Sequence, residues 1–371
     1  MQLRAALRRA RPGDRGLRGG GPAFYSAARM SHQVRIRQGG REIAVETGQT
    51  VLDAALAAGI DYPFGCQSGN CGACKSRLLV GEVLLAPYSE FALTDDERAQ
   101  GLILACRAEP QMDCQVAWLE LEETVQHPLR HLECRVSELR QATHDIRVVR
   151  LAVEAGGPFA FSAGQYAAVA FDGHPARDFS MANRPDEPLL EFHVRAMDGG
   201  SVSHFVNKGL KLGDRVRVEG PMGLAWLRET HAGPILAAAG GSGLAPIKSI
   251  VERALDKGMA QPITLYFGVR DERDLYYDDH FVALEMKHPN FRFVPVLSEA
   301  RGSTQLRTGN LSDVIARDLS NLDGWKCYLA GPPVMVETVS DVCRQLGLRG
   351  EDLHADPFYS AHELARKGTA G

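Results

Sequence analysis

The pattern of hydrophobic and polar positions changes twice along the chain, near residues 122 and 230. Before the first change, the alternating runs 34–37 and 42–46 predict a β-hairpin. Thr50 then predicts the cap of a helix that ends at Gly59 and carries Val51, Leu52, Ala55 and Ala58 on one face. These elements predict a small α+β domain over residues 31–122.

The second pattern begins after a polar, proline-containing segment at residues 122–130. Short β-like runs separated by turn residues continue to about residue 227. This spacing predicts an antiparallel β-barrel over residues 131–228. The predicted strands cover residues 134–139, 145–153, 165–171, 189–194 and 215–219.

The third pattern starts at Pro234, where apolar strand-like runs alternate with amphipathic helical segments. Such alternation predicts a parallel sheet with helices on both faces, an α/β domain over residues 232–360. The predicted strands are 235–239, 263–269, 291–297 and 327–330, and the predicted helices are 245–255, 281–286, 311–319 and 334–346. The fold class is therefore multidomain, α+β followed by barrel and α/β.

Composition is consistent with this architecture and excludes several classes of function. The chain has 371 residues, 44% hydrophobic and 24% charged, as in soluble globular proteins of two or three domains. A net charge of −4 argues against broad binding to nucleic acid, which depends on neutralising phosphates. No apolar run is long enough to span a membrane, and no apolar signal-peptide core is visible. We therefore expect a cytoplasmic protein.

Residues 1–30 differ from the rest, because they are rich in Arg and Gly and show little apolar periodicity. Two interpretations stay open. The segment is either an organelle transit peptide or a disordered extension, such as an over-long gene product whose true start is Met30. No predicted functional residue lies in it.

Four of the eight cysteines have the spacing of a plant-type [2Fe–2S] cluster. Three of them follow the pattern Cys-x4-Cys-x2-Cys, and the fourth stands about thirty residues later. The predicted ligands are Cys66, Cys71, Cys74 and Cys106. A two-iron cluster needs four thiolates, and one loop supplies three of them only if its backbone bends sharply. Glycines in the loop permit such a bend because they tolerate positive φ.

A zinc site and a disulfide cage are the alternatives for the same cysteines. Zinc sites usually combine paired Cys-x2-Cys units, whereas here a third cysteine precedes a single such unit. A chain of this size does not need disulfides for stability. The other four cysteines stand in apolar runs and are expected to be inert core residues. They are Cys114, Cys134, Cys327 and Cys343.

The run Arg177-Asp178-Phe179-Ser180 follows the predicted strand 165–171. By itself it could be a charged strand end with a core phenylalanine. It resembles, however, the flavin fingerprint Arg-x-Tyr-Ser of the ferredoxin–NADP reductase superfamily. The segments 164–166 and 199–203 also match that superfamily's pattern.

This resemblance implies roles for particular residues. Arg177 should pair with the flavin pyrophosphate, Phe179 should lie against the isoalloxazine, and Ser180 should lie near its N5 atom as a catalytic residue. Ser203, at the start of a helix over 202–208, should contact phosphate. The other residues expected to contact flavin are Tyr166, Met181, His193, Val194 and Gly200, although lone histidines such as His193 and His204 are more often structural. Phe179 replaces the usual tyrosine, which removes a hydroxyl. The resemblance favours FAD over FMN.

A glycine-rich turn, Gly-Gly-Ser-Gly-Leu-Ala-Pro at residues 240–246, joins the predicted strand 235–239 to a helix. Such a turn lets the backbone and the helix N-terminus approach a pyrophosphate. It matches the superfamily form Gly-Gly-x-Gly-x-Ala-Pro in full. The resemblance therefore assigns nicotinamide-dinucleotide binding to Gly241, Gly243, Ala245 and Pro246.

Two later strand ends complete the expected dinucleotide site. Gly268 and Arg270 stand where the superfamily binds the adenosine ribose, and Asp271 follows them. Acidic groups there would repel a 2′-phosphate and favour NADH, whereas Arg270 and Arg273 leave NADPH as the alternative. The Gly331-Pro332 turn matches the nicotinamide-side loop. Phe358 is the expected catalytic-site aromatic that covers the flavin; the alternative is a plain core anchor.

The domain order covers nearly the whole chain and resembles the reductase components of bacterial aromatic-ring-hydroxylating, Rieske-type dioxygenases. The resemblance implies a β-grasp fold for the first domain. It also implies an NAD(P)H-dependent oxidoreductase that passes electrons through FAD and the cluster to a terminal oxygenase or a small ferredoxin. It implies neither a nucleic-acid nor a membrane partner. A deoxysugar-forming reductase and a redox-sensing module without turnover stay open as alternatives.

Overall fold

The computed structural model describes residues 31–65, 67–69, 72–119 and 127–359. The interpretations of residues 1–30 and the ligand predictions for Cys66 and Cys71 therefore lie outside the described residues. Three separate multistranded sheets follow one another along the chain. We refer to the units built on them as the N-terminal domain, the barrel domain and the C-terminal domain.

The N-terminal domain is a mixed five-stranded sheet of order β2-β1-β7-β3-β5 with a small β4-β6 pair beside it. Its central pair, β1 and β7, is parallel, and the other pairs are antiparallel. The elements are β1 (Ser31–Ile36), β2 (Arg41–Glu46), α1 (Val51–Ala57), β3 (Lys75–Val80), β4 (Val83–Leu85), α2 (Asp95–Ala99), β5 (Leu102–Leu104), β6 (Ala108–Pro110) and β7 (Cys114–Trp118). The predicted hairpin is confirmed as β1–β2.

Helix α1 covers the sheet because its sequence places Val51, Leu52 and Ala55 on one buried face. The Thr50 hydroxyl accepts a hydrogen bond from the Asp53 N–H at 3.2 Å, as the predicted N-cap requires. Ala58 was expected on the same face but is exposed, because the helix ends one residue earlier.

The barrel domain is a six-stranded antiparallel sheet of order β11-β10-β13-β8-β9-β12. An isolated antiparallel bridge between Met181 and Phe192 joins the two edge strands and closes the barrel. Its strands are β8 (Arg130–Gln141), β9 (Ile146–Ala155), β10 (Tyr166–Phe171), β11 (Arg177–Ser180), β12 (Leu189–Arg195) and β13 (Arg215–Met222), with helix α3 (Ser201–Lys208). The five predicted strands are present, and the arginine-serine motif is itself a sixth strand.

The C-terminal domain is a parallel sheet of order β17-β16-β15-β14-β18-β19. Its elements are β14 (Ile235–Gly240), α4 (Leu244–Asp256), β15 (Ile263–Val269), α5 (Asp278–Lys287), β16 (Phe291–Leu297), β17 (Arg307–Thr308), α6 (Leu311–Asp318), β18 (Lys326–Gly331), α7 (Pro333–Gln345) and β19 (Leu353–Pro357). All predicted elements are confirmed within a few residues. The alternation prediction did not include the short strand β17 or the last strand β19.

Successive residues of β14 face two different apolar cores, which confirms helices on both faces of the sheet. Ile235 and Ala237 belong to the core shared with α4 and α5, and Leu236 and Ala238 to the core shared with α6 and α7. The whole strand is buried, as expected for a central parallel strand. Within the described ranges, no helix is both long and apolar enough to cross a bilayer.

Candidate redox-cofactor sites

Two of the four predicted cluster ligands are described, and they lie next to each other. Cys74 precedes β3 and Cys106 follows β5, and they are 3% and 5% exposed. The backbone N–H of Cys106 donates to Cys74 Sγ at 3.4 Å. An N–H bond to sulfur stabilises a thiolate, the form that binds metal. The pairing of β3 with β5 thus brings together two thiols that are 32 residues apart in sequence.

The surroundings of these two thiols fit a sulfur-rich group. Gly69 has φ +79°, and a Cβ there would lie 2.9 Å from Arg107 Cγ and 2.9 Å from Tyr88 Cβ. The loop can therefore accommodate only a glycine at position 69. The Nε of Arg107, next to Cys106, is buried and has no hydrogen-bond partner among the described residues. An unsatisfied buried donor beside Cys106 is what a neighbouring cluster sulfur would satisfy.

The four remaining cysteines are core residues, as predicted. All are at most 5% exposed. Burial raises the pKa of the Cys134 thiol to about 12. The pKa of Cys327 is also raised, first by its hydrogen bond with Cys343 and then by burial. Such thiols stay protonated and unreactive at neutral pH.

The motif strand β11 lies along β10 with Ser180 opposite Tyr166. Ser180 is 6% exposed, and its hydroxyl donates to Asp356 Oδ2 at 3.2 Å. Arg177, at the other end of the strand, is exposed, and no carboxylate of the described residues pairs with it. A guanidinium without an acidic partner suits a diphosphate, so the strand fits the flavin assignment.

Several predicted flavin contacts have side chains that point elsewhere. Met181 and Val194 lie in the barrel core at 0% and 1% exposure. His193 is fully buried, with Nε2 3.1 Å from Glu191 Oε1 and Nδ1 3.0 Å from Tyr276 OH. These three residues could touch a cofactor only through their backbone atoms.

The predicted phosphate contact at the start of α3 has a local role in the structure. The Ser203 hydroxyl donates to the Gly200 carbonyl at 3.1 Å and accepts from the Met197 N–H at 3.1 Å. A Cβ on Gly200 would lie 2.6 Å from that hydroxyl. The two residues therefore shape the loop before α3, and their assignment to flavin stays a prediction.

The glycine-rich turn joins β14 to α4 and lies against the end of β18. A Cβ on Gly243 would lie 2.2 Å from the Ala330 carbonyl oxygen, and one on Gly331 would lie 2.8 Å from the Gly240 carbonyl oxygen. Gly241 has φ +53°. Ala245 and Pro246 are buried in the first turn of α4. This close approach of backbones leaves N–H groups at a helix start and fits a dinucleotide pyrophosphate.

An arginine from the barrel domain reaches the same turn, and the sequence analysis did not identify it. Arg195 ends β12, and its Nη1 lies 3.3 Å from where a Cβ of Gly241 would be. Its Nε donates to Asp145 Oδ2 at 2.8 Å, which fixes the side chain. No motif spacing marks Arg195, because the turn it approaches begins 45 residues later in another domain.

A buried charged cluster joins the flavin strand to the helix of the glycine-rich turn. The Lys248 ammonium donates to the Ala182 carbonyl at 3.1 Å, and the Ser249 hydroxyl to the Asn183 carbonyl at 2.6 Å. Both carbonyls come directly after the arginine-serine motif. Helix α4 is thereby held against the end of β11. These bonds fix the position of the predicted flavin site relative to the predicted dinucleotide site.

Glu191 is the central carboxylate of that cluster and is fully buried. It accepts from Arg150 Nε at 2.7 Å and from Tyr277 OH at 2.9 Å, and Lys248 Nζ lies 3.5 Å away. Burial alone would raise its pKa, but the His193 hydrogen bond and the Lys248 charge hold the pKa well below its usual range. The pKa of Lys248 is raised, since Glu252 and Glu191 outweigh burial. Both groups stay charged at neutral pH.

At the predicted ribose site, β15 ends beside Gly268, and Asp271 caps the following turn. The Asp271 carboxylate accepts from the Glu272 N–H at 2.9 Å. Arg270 lies 3.8 Å from Asp145 Oδ2 and 3.7 Å from Asp274 Oδ2. The cation that could have bound a 2′-phosphate is therefore already flanked by two carboxylates.

Strand β19, which the sequence analysis missed, brings the predicted aromatic to the site. It runs parallel to β18, and the Phe358 N–H after it donates to the Gly331 carbonyl at 2.8 Å. Phe358 is half-buried. Through Asp356 and Ser180 the same segment also contacts the flavin strand. Pro332, which precedes α7, lies 2.8 Å from where a Cβ of Gly240 would be.

Comparison with known proteins gives the same three parts in the same order. Residues 34–111 match the family model of the 2Fe-2S iron-sulfur cluster binding domain, 133–226 that of the oxidoreductase FAD-binding domain, and 238–341 that of the oxidoreductase NAD-binding domain.

Relatives match over almost their full length. The ferredoxin–NAD(P)+ reductase component of the naphthalene 1,2-dioxygenase/salicylate 5-hydroxylase systems of a Ralstonia species is 41% identical, over 85% of this chain and 94% of that protein. The corresponding component of the Pseudomonas putida naphthalene 1,2-dioxygenase system is 38% identical, over 88% and 98%. The crystal structure of an Amycolatopsis cytochrome P450 reductase superposes with a TM-score of 0.73 and 38% identity, over 89% of this chain and 99% of that chain.

Proposed function

Since the chain belongs to the family of ferredoxin–NAD(P)+ reductase components of oxygenase systems, we propose that it takes hydride from NADH and passes single electrons to an oxygenase or a small ferredoxin. FAD would supply acceptance of the two hydride electrons, and a [2Fe–2S] cluster would supply their onward passage one at a time. Residues of all three domains contribute to this electron transfer.

The observation that carries the proposal is the contact between the predicted flavin and nicotinamide sites. Ser180, at the end of the flavin strand, donates to Asp356. Two residues later, the Phe358 N–H bonds the carbonyl of Gly331 in the predicted nicotinamide loop. Hydride transfer requires its donor and acceptor atoms to be held in contact, and these bonds hold the two loops together.

In this scheme the protein's own side chains and backbone bind the two cofactors, orient them and shield the reacting ring from water. Arg177 and the turn at Gly241–Gly243 hold diphosphates, while Arg195 adds a cation at the turn from the barrel side. When a flavin is bound, Ser180 would offer its buried hydroxyl near the ring, and Phe358 would cover the ring and exclude water. These residue roles and the domain limits 31–122, 131–228 and 232–360 stay predictions.

Steady-state reduction assays on the purified full chain test the proposal. We expect NADH to drive reduction of ferricyanide, which takes electrons from flavin, and of cytochrome c, which takes them from the cluster. The visible spectrum should show both flavin and iron–sulfur bands. A protein that is loaded with both groups and reduces neither acceptor would contradict the proposal and favour a sensing module.

The choice of nicotinamide gives a second prediction. With Arg270 flanked by Asp145 and Asp274, the acidic Asp271 should disfavour a 2′-phosphate. We expect kcat/KM for NADH to exceed that for NADPH. Asp271→Ser keeps a capping hydroxyl but removes the charge, and should raise the NADPH/NADH ratio about tenfold, as for one charge contact of about 1.4 kcal/mol.

Asp279→Ser is the matched control for this experiment. Asp279 is also an acidic residue of the C-terminal domain, but it is exposed and stands in the first turn of α5. Its replacement changes net charge equally and should leave the NADPH/NADH ratio unchanged. Equal ratios in both variants, or a wild-type preference for NADPH, would show that Asp271 does not set the choice.

The identity of the electron acceptor is inferred from the relatives of this chain and not from a site within it. The family relatives serve dioxygenase and monooxygenase systems, and we infer a partner of that kind for this chain. Mixing the purified chain with candidate oxygenase components and following NADH-dependent product formation would identify it.

A further inference from the structure

Residues 356–359, which we call the C-terminal junction, contact all three domains within four residues. Asp356 accepts from Ser180 of the barrel domain at 3.2 Å. The Phe358 N–H donates to Gly331 of the C-terminal domain at 2.8 Å. The Tyr359 hydroxyl lies 3.0 Å from Ser89 Oγ of the N-terminal domain. The segment beside the predicted flavin is therefore also bonded to the domain that carries the cluster cysteines.

The contact of Tyr359 leads directly to the cysteine loop. Ser89 is 1% exposed, and its backbone N–H donates to the carbonyl of Gly69 at 2.9 Å. Gly69 stands between Cys66 and Cys71 in sequence and packs against Arg107, the neighbour of Cys106. Two hydrogen bonds in series thus connect the junction to the loop that holds three of the four cluster cysteines.

An apolar contact supports the same domain face. Phe91, two residues after Ser89, is half-buried and packs against the apolar core of the C-terminal domain that contains Leu329 of β18 and Val339 of α7. The Phe91 N–H also donates to Ser89 Oγ at 3.3 Å. An aromatic ring therefore anchors the N-terminal domain on the C-terminal domain, beside the Ser89–Tyr359 hydroxyl pair.

We propose that Tyr359 is a positioning residue for electron transfer, holding the cluster loop through Ser89 at a fixed separation from the flavin strand. The inference rests on the proposed function. Electron passage falls steeply with the separation of donor and acceptor, so a small displacement of one domain slows it. Each hydride supplies two electrons, which pass from the flavin to the cluster in two separate one-electron steps. Hydride delivery to the flavin does not involve this contact.

The variant Tyr359→Phe removes only the hydroxyl. We expect NADH-driven ferricyanide reduction to stay at the wild-type rate, while cytochrome c reduction falls about fivefold, the shift that one ordinary hydrogen bond controls. Ser89→Ala should likewise lower the ratio of the cytochrome c rate to the ferricyanide rate. The double variant should be no worse than the more affected single variant, because residues that act through one bond are not additive.

A structural readout accompanies the rates. Amide hydrogen exchange in the segment 86–92 should become faster in Tyr359→Phe, since the contact that orders it is lost. Tyr266→Phe is the matched control, because it also removes one tyrosine hydroxyl of the C-terminal domain, bonded to Asp318 at 3.0 Å. It should change neither the rate ratio nor exchange in that segment.

The possible results separate the two proposals. If Tyr359→Phe matches Tyr266→Phe in both rate ratio and exchange, the positioning role is wrong although the reductase function stands. If the wild-type chain, loaded with both groups, does not reduce cytochrome c with NADH, the proposed function itself fails. Should Tyr359→Phe not fold, Ser89→Ala makes the same comparison from the other side of the bond.

Discussion

Replacing Cys106 with serine should abolish NADH-driven cytochrome c reduction and leave ferricyanide reduction largely intact. Cys106 is one of two described cysteines brought together by β3 and β5, and its N–H bonds the sulfur of the other. Loss of even a supporting partner of a metal ligand lowers metal affinity by about 10- to 100-fold. Loss of a ligand should therefore lower cytochrome c reduction by at least about a hundredfold, while the flavin site lies in another domain and keeps its activity.

The control for this experiment is Cys114→Ser. Cys114 is equally buried in the same domain, and its Sγ lies 3.3 and 3.0 Å from the Glu82 and Met112 carbonyl oxygens, either of which can accept its one S–H. A serine hydroxyl can donate its one proton to either of these carbonyls, so both reductase activities should persist. Visible and electron paramagnetic resonance spectra should show the cluster in Cys114→Ser and not in Cys106→Ser. If both activities of Cys106→Ser fall together, the order of electron carriers proposed above is wrong.

The variant Gly243→Ala should impair binding of the nicotinamide dinucleotide more than any change at the surface. The added Cβ would lie 2.2 Å from the Ala330 oxygen, 2.4 Å from its carbonyl carbon and 2.6 Å from the Gly331 nitrogen. All three are backbone atoms of β18 and the loop after it, so no rotamer change relieves the clash. Overpacking of this kind typically costs about 1–3 kcal/mol.

The strain falls on the turn that approaches the pyrophosphate and on the loop carrying Gly331. We therefore expect KM for NADH to rise by at least about tenfold, since 1.4 kcal/mol corresponds to a tenfold change. Isothermal titration with the non-reducing product NAD+ measures the same loss without turnover. Thermal unfolding should also shift downward.

Gly350→Ala is the matched glycine control for that prediction. Gly350 lies in the same domain, and a Cβ there would meet no atom within 4 Å. Its replacement should leave the KM for NADH and the unfolding temperature close to those of the wild type. A normal KM in Gly243→Ala would mean that the turn between β14 and α4 does not bind the dinucleotide.

The local pattern of the sequence determined the three sheets and most of their elements. Apolar residues alternate with polar ones along much of barrel strand β8 and stand as a continuous buried run in β14. The Cys-x4-Cys-x2-Cys run, the arginine-serine motif and the glycine-rich turn each lie within one short segment. Such features depend on neighbours in sequence, and for that reason they can be recognised from sequence alone.

Only the tertiary structure decided which residues from different segments contact each other. Strand β19, the approach of Arg195 to the glycine-rich turn and the bond between Ser89 and Tyr359 each join residues that are distant in sequence. The buried cluster around Glu191 holds a lysine, two tyrosines and a histidine from two domains. No periodicity encodes such contacts, because each depends on how distant segments pack within a domain or between domains. The sequence thus determined which groups this protein can hold, and the packing of its domains decided how those groups meet.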